Sequence, residues 1–250
     1  MAVVHAGSEA RWPRPSEIDW LTAAEVVREG FRRSRVVMMN EAVNGLQRCV
    51  RTRRTGTSIL PVAWASGARL LAVESLGPPG GEPPNAEVLR QPEMAELLAT
   101  ARRLGFRLSG YDADRATIPI KWRTKTKSPA FGNWRNARQA TNLATLYSEL
   151  PAQARMLVWA PNRHHAKVRF MQYRPTGWQF QTTSNVDPFV IDQTATVSYV
   201  DRRYGSPILD WAAGELRRRH GEAGFIWREG MPRLSPGCDA WILSLDNRLE

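Results

Sequence analysis

Residues 35–41 read Arg-Val-Val-Met-Met-Asn-Glu, four apolar side chains in a row closed by an amide and a carboxylate. A short run without alternation is the pattern of a strand covered on both faces. The form recurs in Arg69-Leu-Leu-Ala-Val-Glu74 and Arg155-Met-Leu-Val-Trp-Ala160, and Phe106–Tyr111 leads into Asp112 as a further strand. Segments of helical character separate these runs: 16–33 behind a Ser16 cap, Gly45–Gly67 with interruptions at Gly56 and Pro61, 92–104, 134–150 and 208–219. Pro92 suits a first turn and Gly105 a helix end. Strand and helix in alternation predict an α/β fold: a largely parallel central sheet, helices on both faces, and an active cleft at the carboxyl ends of the strands.

The rest of the chain is read more coarsely. Val168–Tyr173 and Trp178–Thr182 are expected as short strands around a Pro175–Gly177 turn, with 189–200 and 240–245 as later strands. Residues 75–84 are a Gly- and Pro-rich loop, and 117–133 lack helical period and read as a long loop, a type of segment that is often functional. The length of 250 residues fits one domain, 1–250, with 1–34 as an N-terminal helical extension.

Composition bounds the function classes. Hydrophobic residues make up 42% and ten are tryptophan, which supplies a core and argues against global disorder. No apolar run reaches the ~20 residues of a membrane span. Met1–Pro15 carries Glu9, Arg11 and Arg14 without the apolar centre of a signal peptide, so a cytoplasmic protein with no membrane partner is expected. Cys49 and Cys238 show no metal-finger spacing and read as idle thiols. Arginines around Cys49 would lower its pKa. The net charge of +11 is uneven: no Asp or Glu occurs between Asp114 and Glu149. Such a face either meets an acidic partner or is simply arginine-rich surface.

Glu41, Glu74, Asp112 and the Asn162–His165 group each fall at or just after a strand end, where ligands of open sheets bind. Neighbouring carboxylates can hold a water, a metal or a shared proton. A histidine on the same rim adds a group titrating near neutrality. Nearby arginines, from Arg51–Arg54 or Arg135, could hold a substrate anion or a developing oxyanion.

The segments Asn40–Gly45, Leu70–Glu74, Asn133–Leu143, Met156–His165, Asp187–Thr194 and Asp239–Asp246, in this order, resemble landmarks of the erythromycin-esterase/ChaN-like superfamily, which includes TIKI-type proteases. The resemblance implies a mainly parallel sheet with a cleft at its carboxyl edge. It places Glu41, Glu74, Arg135 and His164 at family site positions. In that family a Glu-x-x-His motif supplies the base, but the corresponding position here is Asn44, which takes no proton at neutral pH. His165 is a candidate replacement. Some relatives bind haem, for which Tyr111, Tyr173 or a histidine would be the axial ligand, but no haem attachment motif is present. Neither metal nor cofactor is expected, although Glu41, Glu74 and His164 could in principle ligate zinc.

Residues 121–138 interleave Lys121, Arg123, Lys125, Lys127, Arg135 and Arg138 with Trp122, Phe131 and Trp134. Cations among rings suit an acidic peptide, a carrier protein or nucleic acid, and no other nucleic-acid signature occurs. The expectation is therefore an enzyme working by acid/base chemistry, a metal-independent hydrolase or lyase. Its substrate would be a natural product or modified peptide, acidic or carrier-bound. Glu41, Glu74, His164 and His165 would be catalytic. Asn44, Arg53, Arg54, Arg135, Lys121, Trp122 and Arg123 would hold substrate. The alternative is a catalytically retired binding protein for an acidic peptide, a carrier protein or nucleic acid.

Overall fold

A computed structural model of the chain describes residues 12–126, 128–197, 207–231, 233–246 and 248–250. In chain order the elements are α1 (Ala23–Arg33), β1 (Val36–Glu41), β2 (Val43–Asn44), β3 (Gln47–Arg48), α2 (Val50–Ala65), β4 (Ala68–Val73), α3 (Ala86–Arg90) and α4 (Pro92–Leu104). They continue as β5 (Arg107–Gly110), α5 (Pro129–Ser148), β6 (Arg155–Pro161), α6 (Thr176–Ser184), β7 (Phe189–Asp192), α7 (Pro207–Arg218), β8 (Glu222–Ile226) and β9 (Ala240–Ser244).

Among the described residues seven strands form one sheet in the order β5-β4-β6-β1-β7-β9-β8, and β2 pairs with β3 in a small hairpin. All neighbours in the large sheet run parallel except β8, which is antiparallel to β9 at the edge. This is the predicted α/β architecture. Alternate strand residues feed two cores. Val37, Met39, Leu71, Val73, Leu157 and Trp159 face α1, α2 and α4. Val36, Met38, Leu70, Ala72, Met156 and Val158 face α5, α6 and α7. Both faces being covered explains why the strands read as unbroken apolar runs. Among the described residues no helix is long and apolar enough to cross a membrane.

Several boundaries depart from the sequence reading for identifiable reasons. The first helix begins at Ala23 behind a Thr22–Glu25 capping box, with only a short turn at Pro15–Glu17 upstream. Residues 45–48 leave the expected helix and join Val43–Asn44 in the β2–β3 hairpin, and α2 then runs through both Gly56 and Pro61. Gly56 is needed for contact rather than flexibility, since a Cβ there would lie 2.3 Å from the Trp159 ring. The 117–133 loop is shortened because Ser128 caps α5 through the Phe131 amide and Pro129 starts it. Residues 176–184 are helix, not strand: Pro175 sits at the cap, and Gly177 donates to the His164 carbonyl at 2.9 Å. The strand expected over 189–200 is β7 as far as Asp192, and 198–200 lie outside the described residues, as do 1–11 and Lys127. Edge strand β8, with Gly224 at its centre, carries no strong strand signal.

The close approach of α2 to β6 predicts that Gly56→Ala destabilises the protein by about 1–3 kcal/mol, despite alanine's better helix propensity. Urea unfolding measures this, and an unchanged midpoint would show that Trp159 has room to move.

Candidate active site

The carboxyl ends of β4, β6, β1 and β7 lie side by side, and the chain leaves β1 toward β4 but leaves β6 toward β7. This reversal opens a crevice at the β1 end. Asn40, buried in that crevice, donates to the Asn162 carbonyl at 2.6 Å and to Asp192 Oδ1 at 2.9 Å, tying three strand ends together.

Glu41 lies at the bottom, 2% exposed, in an ion pair with Arg53, itself 1% exposed. Burial pushes the Glu41 carboxyl above the ordinary carboxylate range, Arg53 pulls against this, and the nearby Glu74 adds to it. Arg53 also donates to Gln91, whose own amide donates to the Leu46 carbonyl at 2.8 Å. No sequence signal marks Gln91 as a partner.

A second assembly surrounds Glu74. Arg135 donates to Glu74 Oε1 at 2.6 Å and grips Asp112 with two bonds of 2.8 Å. Burial opposes the Arg135 charge, yet the two carboxylates raise its pKa above the ordinary arginine value. Asp112 further accepts from Gln139 at 2.8 Å, and Asn142 donates to the Asp112 carbonyl at 2.9 Å. Arg135, Gln139 and Asn142 stand on α5 at spacings of four and three, one polar stripe reading the end of β5. That stripe is visible in the sequence as a break in the helix's apolar pattern, and Asp112 belongs with the site residues.

Glu74 Oε2 is buried without a hydrogen bond and lies 3.6 Å from His164 Nδ1, likewise buried and unbonded. The separation is slightly longer than a hydrogen bond. Burial lowers the His164 pKa below the ordinary histidine value, with Glu74 opposing and Arg135 reinforcing the shift. Tyr173 stands edge-on to the imidazole, ring centres 6.2 Å apart, and burial raises its phenol pKa. Beside them opens a cavity of about 460 Å³ lined by Asn162, Arg163, His164, Tyr173, Thr194 and their neighbours. Larger hollows of about 570 and 680 Å³ lie elsewhere, against α1 and β8 and under the 78–81 loop, away from the strand-end carboxylates.

The other sequence-predicted residues fall elsewhere. His165 is buried with both ring nitrogens unbonded and turns toward Asp192, away from Glu74. Its pKa is lowered to about 4, by burial first, with Asp192 opposing. Arg54, next to Arg53 on α2, is exposed, and Asn44 is exposed on the hairpin. Trp122 stacks near Trp134 at 5.8 Å, Trp134 near Phe131 at 5.7 Å, and Lys121 rides on Trp122 at 4.7 Å. Arg123 is exposed and bonded to the Ile118 carbonyl at 3.3 Å. These form an outer ledge rather than the crevice floor. Both cysteines are free and buried. The lowered thiol expected of Cys49 is corrected: burial raises it, and raises Cys238 further. Among the described residues no group of three His, Cys, Asp or Glu side chains is arranged to hold a metal ion.

No protein-family model and no curated protein matches the sequence. Solved structures do. The type III effector HopBA1 matches over 92% of this chain and 97% of its own, at 14% identity and a TM-score of 0.50. RRSP, a MARTX toxin effector domain from Vibrio vulnificus CMCP6, matches over 71% of this chain and 36% of its own, at 15% identity and a TM-score of 0.44. The C-terminal region of Pasteurella multocida toxin, which has a thiol-protease-like catalytic triad, matches over 57% and 21%, at 10% identity and 0.40. Identities this low make the likeness one of fold.

The erythromycin-esterase/ChaN-like assignment is thereby corrected, because no family model matches the chain and the structure that corresponds over its length is a type III effector. The expectation of natural-product biosynthesis falls with it. Apolar strands ending in a polar residue are the general form of parallel strand ends in open sheets. Segments of that kind in the right order therefore report topology rather than descent.

His164 and His165 should titrate apart. In NMR titrations His164 should show a midpoint below 6.5 and His165 one near 4. Glu74→Gln should lower the His164 midpoint further, since it removes a charge that favours the imidazolium; an upward move would contradict the geometry. Between pH 6.5 and about 4 the unfolded chain carries a proton on His165 that the folded protein does not. Folding stability therefore drops as pH falls through that window, by roughly 3 kcal/mol from this ring. Urea midpoints at pH 7 and 5 should converge in His165→Asn relative to the native chain.

Proposed function

We propose that the chain is a metal-independent hydrolase in which Glu74 and His164 form a general-base pair. The observation that carries this reading is the uncommitted Glu74 Oε2 facing His164 Nδ1 at 3.6 Å, with the other carboxylate oxygen fixed by Arg135. A carboxylate on Nδ1 selects the tautomer that leaves Nε2 free to take a proton. The lowered His164 pKa keeps the ring neutral at pH 7, ready to accept one. Water reaches it through the open cavity, so His164 draws a proton from water as the oxygen attacks an acyl carbon. Tyr173, kept protonated by its raised pKa, donates to the oxyanion or leaving group. Glu41 and Arg53 act as a positioning pair beneath, and His165 belongs to the frame on the Asp192 side.

The substrate in this reading is an acidic peptide or protein segment. Lys121, Trp122 and Arg123 stand on the outer ledge at the start of a stretch without Asp or Glu until Glu149. Its rings offer contact area and its cations long-range attraction. The full-length correspondence to a type III effector supports placing the reaction in a toxin-type effector that acts on a macromolecule of another cell. A catalytically retired binding protein would use the same ledge without turnover.

The decisive experiment expresses the native chain, Glu74→Gln and His164→Ala in a eukaryotic host, with growth and cleavage of host proteins as readouts. Native chain should arrest growth, and each variant should relieve it while keeping native thermal stability. Turnover of a purified acidic peptide substrate should fall by about 10²–10⁴-fold in either variant. The acid limb of kcat/KM should lie below pH 6.5, following His164. Equal toxicity of native chain and His164→Ala overturns the reading.

The ledge makes a separate prediction. Binding of an acidic peptide should weaken as salt rises from 50 to 500 mM (roughly a tenfold range), and Lys121→Glu with Arg123→Glu should remove most of that dependence. Affinity indifferent to ionic strength would exclude an acidic partner.

A further inference from the structure

Of the arginines expected to hold substrate, two are committed: Arg53 to Glu41, and Arg135 to Glu74 and Asp112. The cavity beside His164 holds another. Arg163 lines it, is exposed, and has no ion pair among the described residues. No carboxylate is among the described residues lining that cavity.

The backbone places this guanidinium deliberately. Asn162 adopts φ 48°, the left-handed region that asparagine tolerates better than most residues. Its side chain accepts from the Val43 amide at 3.1 Å and donates to the Val43 carbonyl at 3.0 Å, while its own amide donates to the Glu41 carbonyl at 2.7 Å. The following turn closes through the His164 amide on the Pro161 carbonyl at 3.2 Å, and the Ala166 amide on the Arg163 carbonyl at 3.2 Å. Gly177 lets α6 press on the far side, since a Cβ there would lie 1.9 Å from the His165 carbonyl oxygen. Three consecutive residues are thus sent in three directions: Arg163 to the cavity mouth, His164 to Glu74, His165 inward to Asp192.

We propose that Arg163 is the specificity anchor of the cleft, binding an anionic group of the substrate, a carboxylate or phosphate, next to the bond that His164 acts on. The proposal rests on His164 being the base. An arginine fork matches either oxyanion in two hydrogen bonds, and its rigid neighbour in the turn fixes the distance from anchor to base. Such an anchor selects substrates carrying the anion one residue or one short linker from the reacting carbonyl.

The test reads binding independently of turnover. Inorganic phosphate and N-acetylglutamate are titrated separately into the native chain, with the His164 ring followed by NMR. An anion bound beside the ring should move the His164 midpoint up by about one pH unit, and whichever probe does so identifies the chemistry. Arg163→Gln should weaken that probe by at least about tenfold at unchanged thermal stability, the side chain being exposed. Glu74→Gln should still bind it. With a turned-over acidic peptide, Arg163→Gln should raise KM far more than it lowers kcat, and Arg163→Lys should recover part of the loss. No response of His164 to either probe in the native chain, or equal binding by Arg163→Gln, overturns the proposal. Anion binding through Arg163 together with full turnover in His164→Ala would instead remove the base reading and leave the anchor standing.

Discussion

A guanidinium and a carboxylate that water does not reach, Arg53 and Glu41, lock the end of β1 to the helix that follows it. Taking each charge out of water costs several kcal/mol, and only a matched partner with further hydrogen bonds offsets that. The further bond runs from Arg53 to Gln91, the residue that opens α4, and Gln91 in turn holds the hairpin at Leu46. One buried pair thus joins the central strand, the hairpin, α2 and α4. Asn40, the neighbour of Glu41, carries the tie onward to Asn162 beyond β6 and to Asp192 at the end of β7. Removing either partner alone would strand the other charge in the interior, so the constraint is all or none.

The same sequence form, an apolar strand ending in glutamate, produces two carboxylates with different capacities. Glu41 is closed in by its arginine beneath the sheet rim. Glu74 keeps one oxygen for Arg135 and leaves the other facing an imidazole beside an open cavity. Arg135 is what separates them in role. By bridging Glu74 and Asp112 it neutralises the crowding of negative charge at the ends of β4 and β5 and fixes the angle at which Glu74 meets His164. A freely rotating glutamate could not select a histidine tautomer, whereas one with an anchored oxygen can.

The sheet was legible because strands covered on both faces leave an unmistakable mark, and the strand ends were legible because polarity returns there abruptly. That information put Glu41, Glu74, Asp112 and the Asn162–His165 group at strand ends, while Arg135, on a helix, entered only as one of several nearby arginines and through the family likeness. What could not be read is rotation and contact. Nothing in the order of residues 51–54 says that Arg53 turns inward and Arg54 outward until the phase of α2 is set by Gly56 packing on Trp159. Residues 176–184 carry aromatic and threonine side chains suited to a strand, and tertiary contact made them helix: Gly177 under the His164–Ala166 turn has no room for a side chain. The family likeness failed for a related reason. Short apolar segments with polar ends are dictated by the architecture, so they recur wherever it does.

The tandem His164–His165 shows how a fold assigns different tasks to identical side chains. In an extended strand, adjacent residues alternate faces, and one imidazole would be lost to the core at no cost in design. Here the pair lies past the strand in a turn held by Asn162, with His165 withdrawn from water and His164 half-buried beside the cavity. Burial therefore lowers both, but the surroundings differ. His165 meets Asp192, whose oxygens already accept from Asn40, Thr194 and Ser235, so the carboxylate favours an imidazolium by its charge rather than by a bond. His164 meets a Glu74 oxygen with no partner. A proton arriving at His164 gains an acceptor for the opposite ring nitrogen as it arrives. A proton arriving at His165 is favoured only by the nearby Asp192 charge and the Ile191 backbone, and desolvation outweighs both. The capacity to cycle a proton rests with the histidine whose carboxylate was left unfinished.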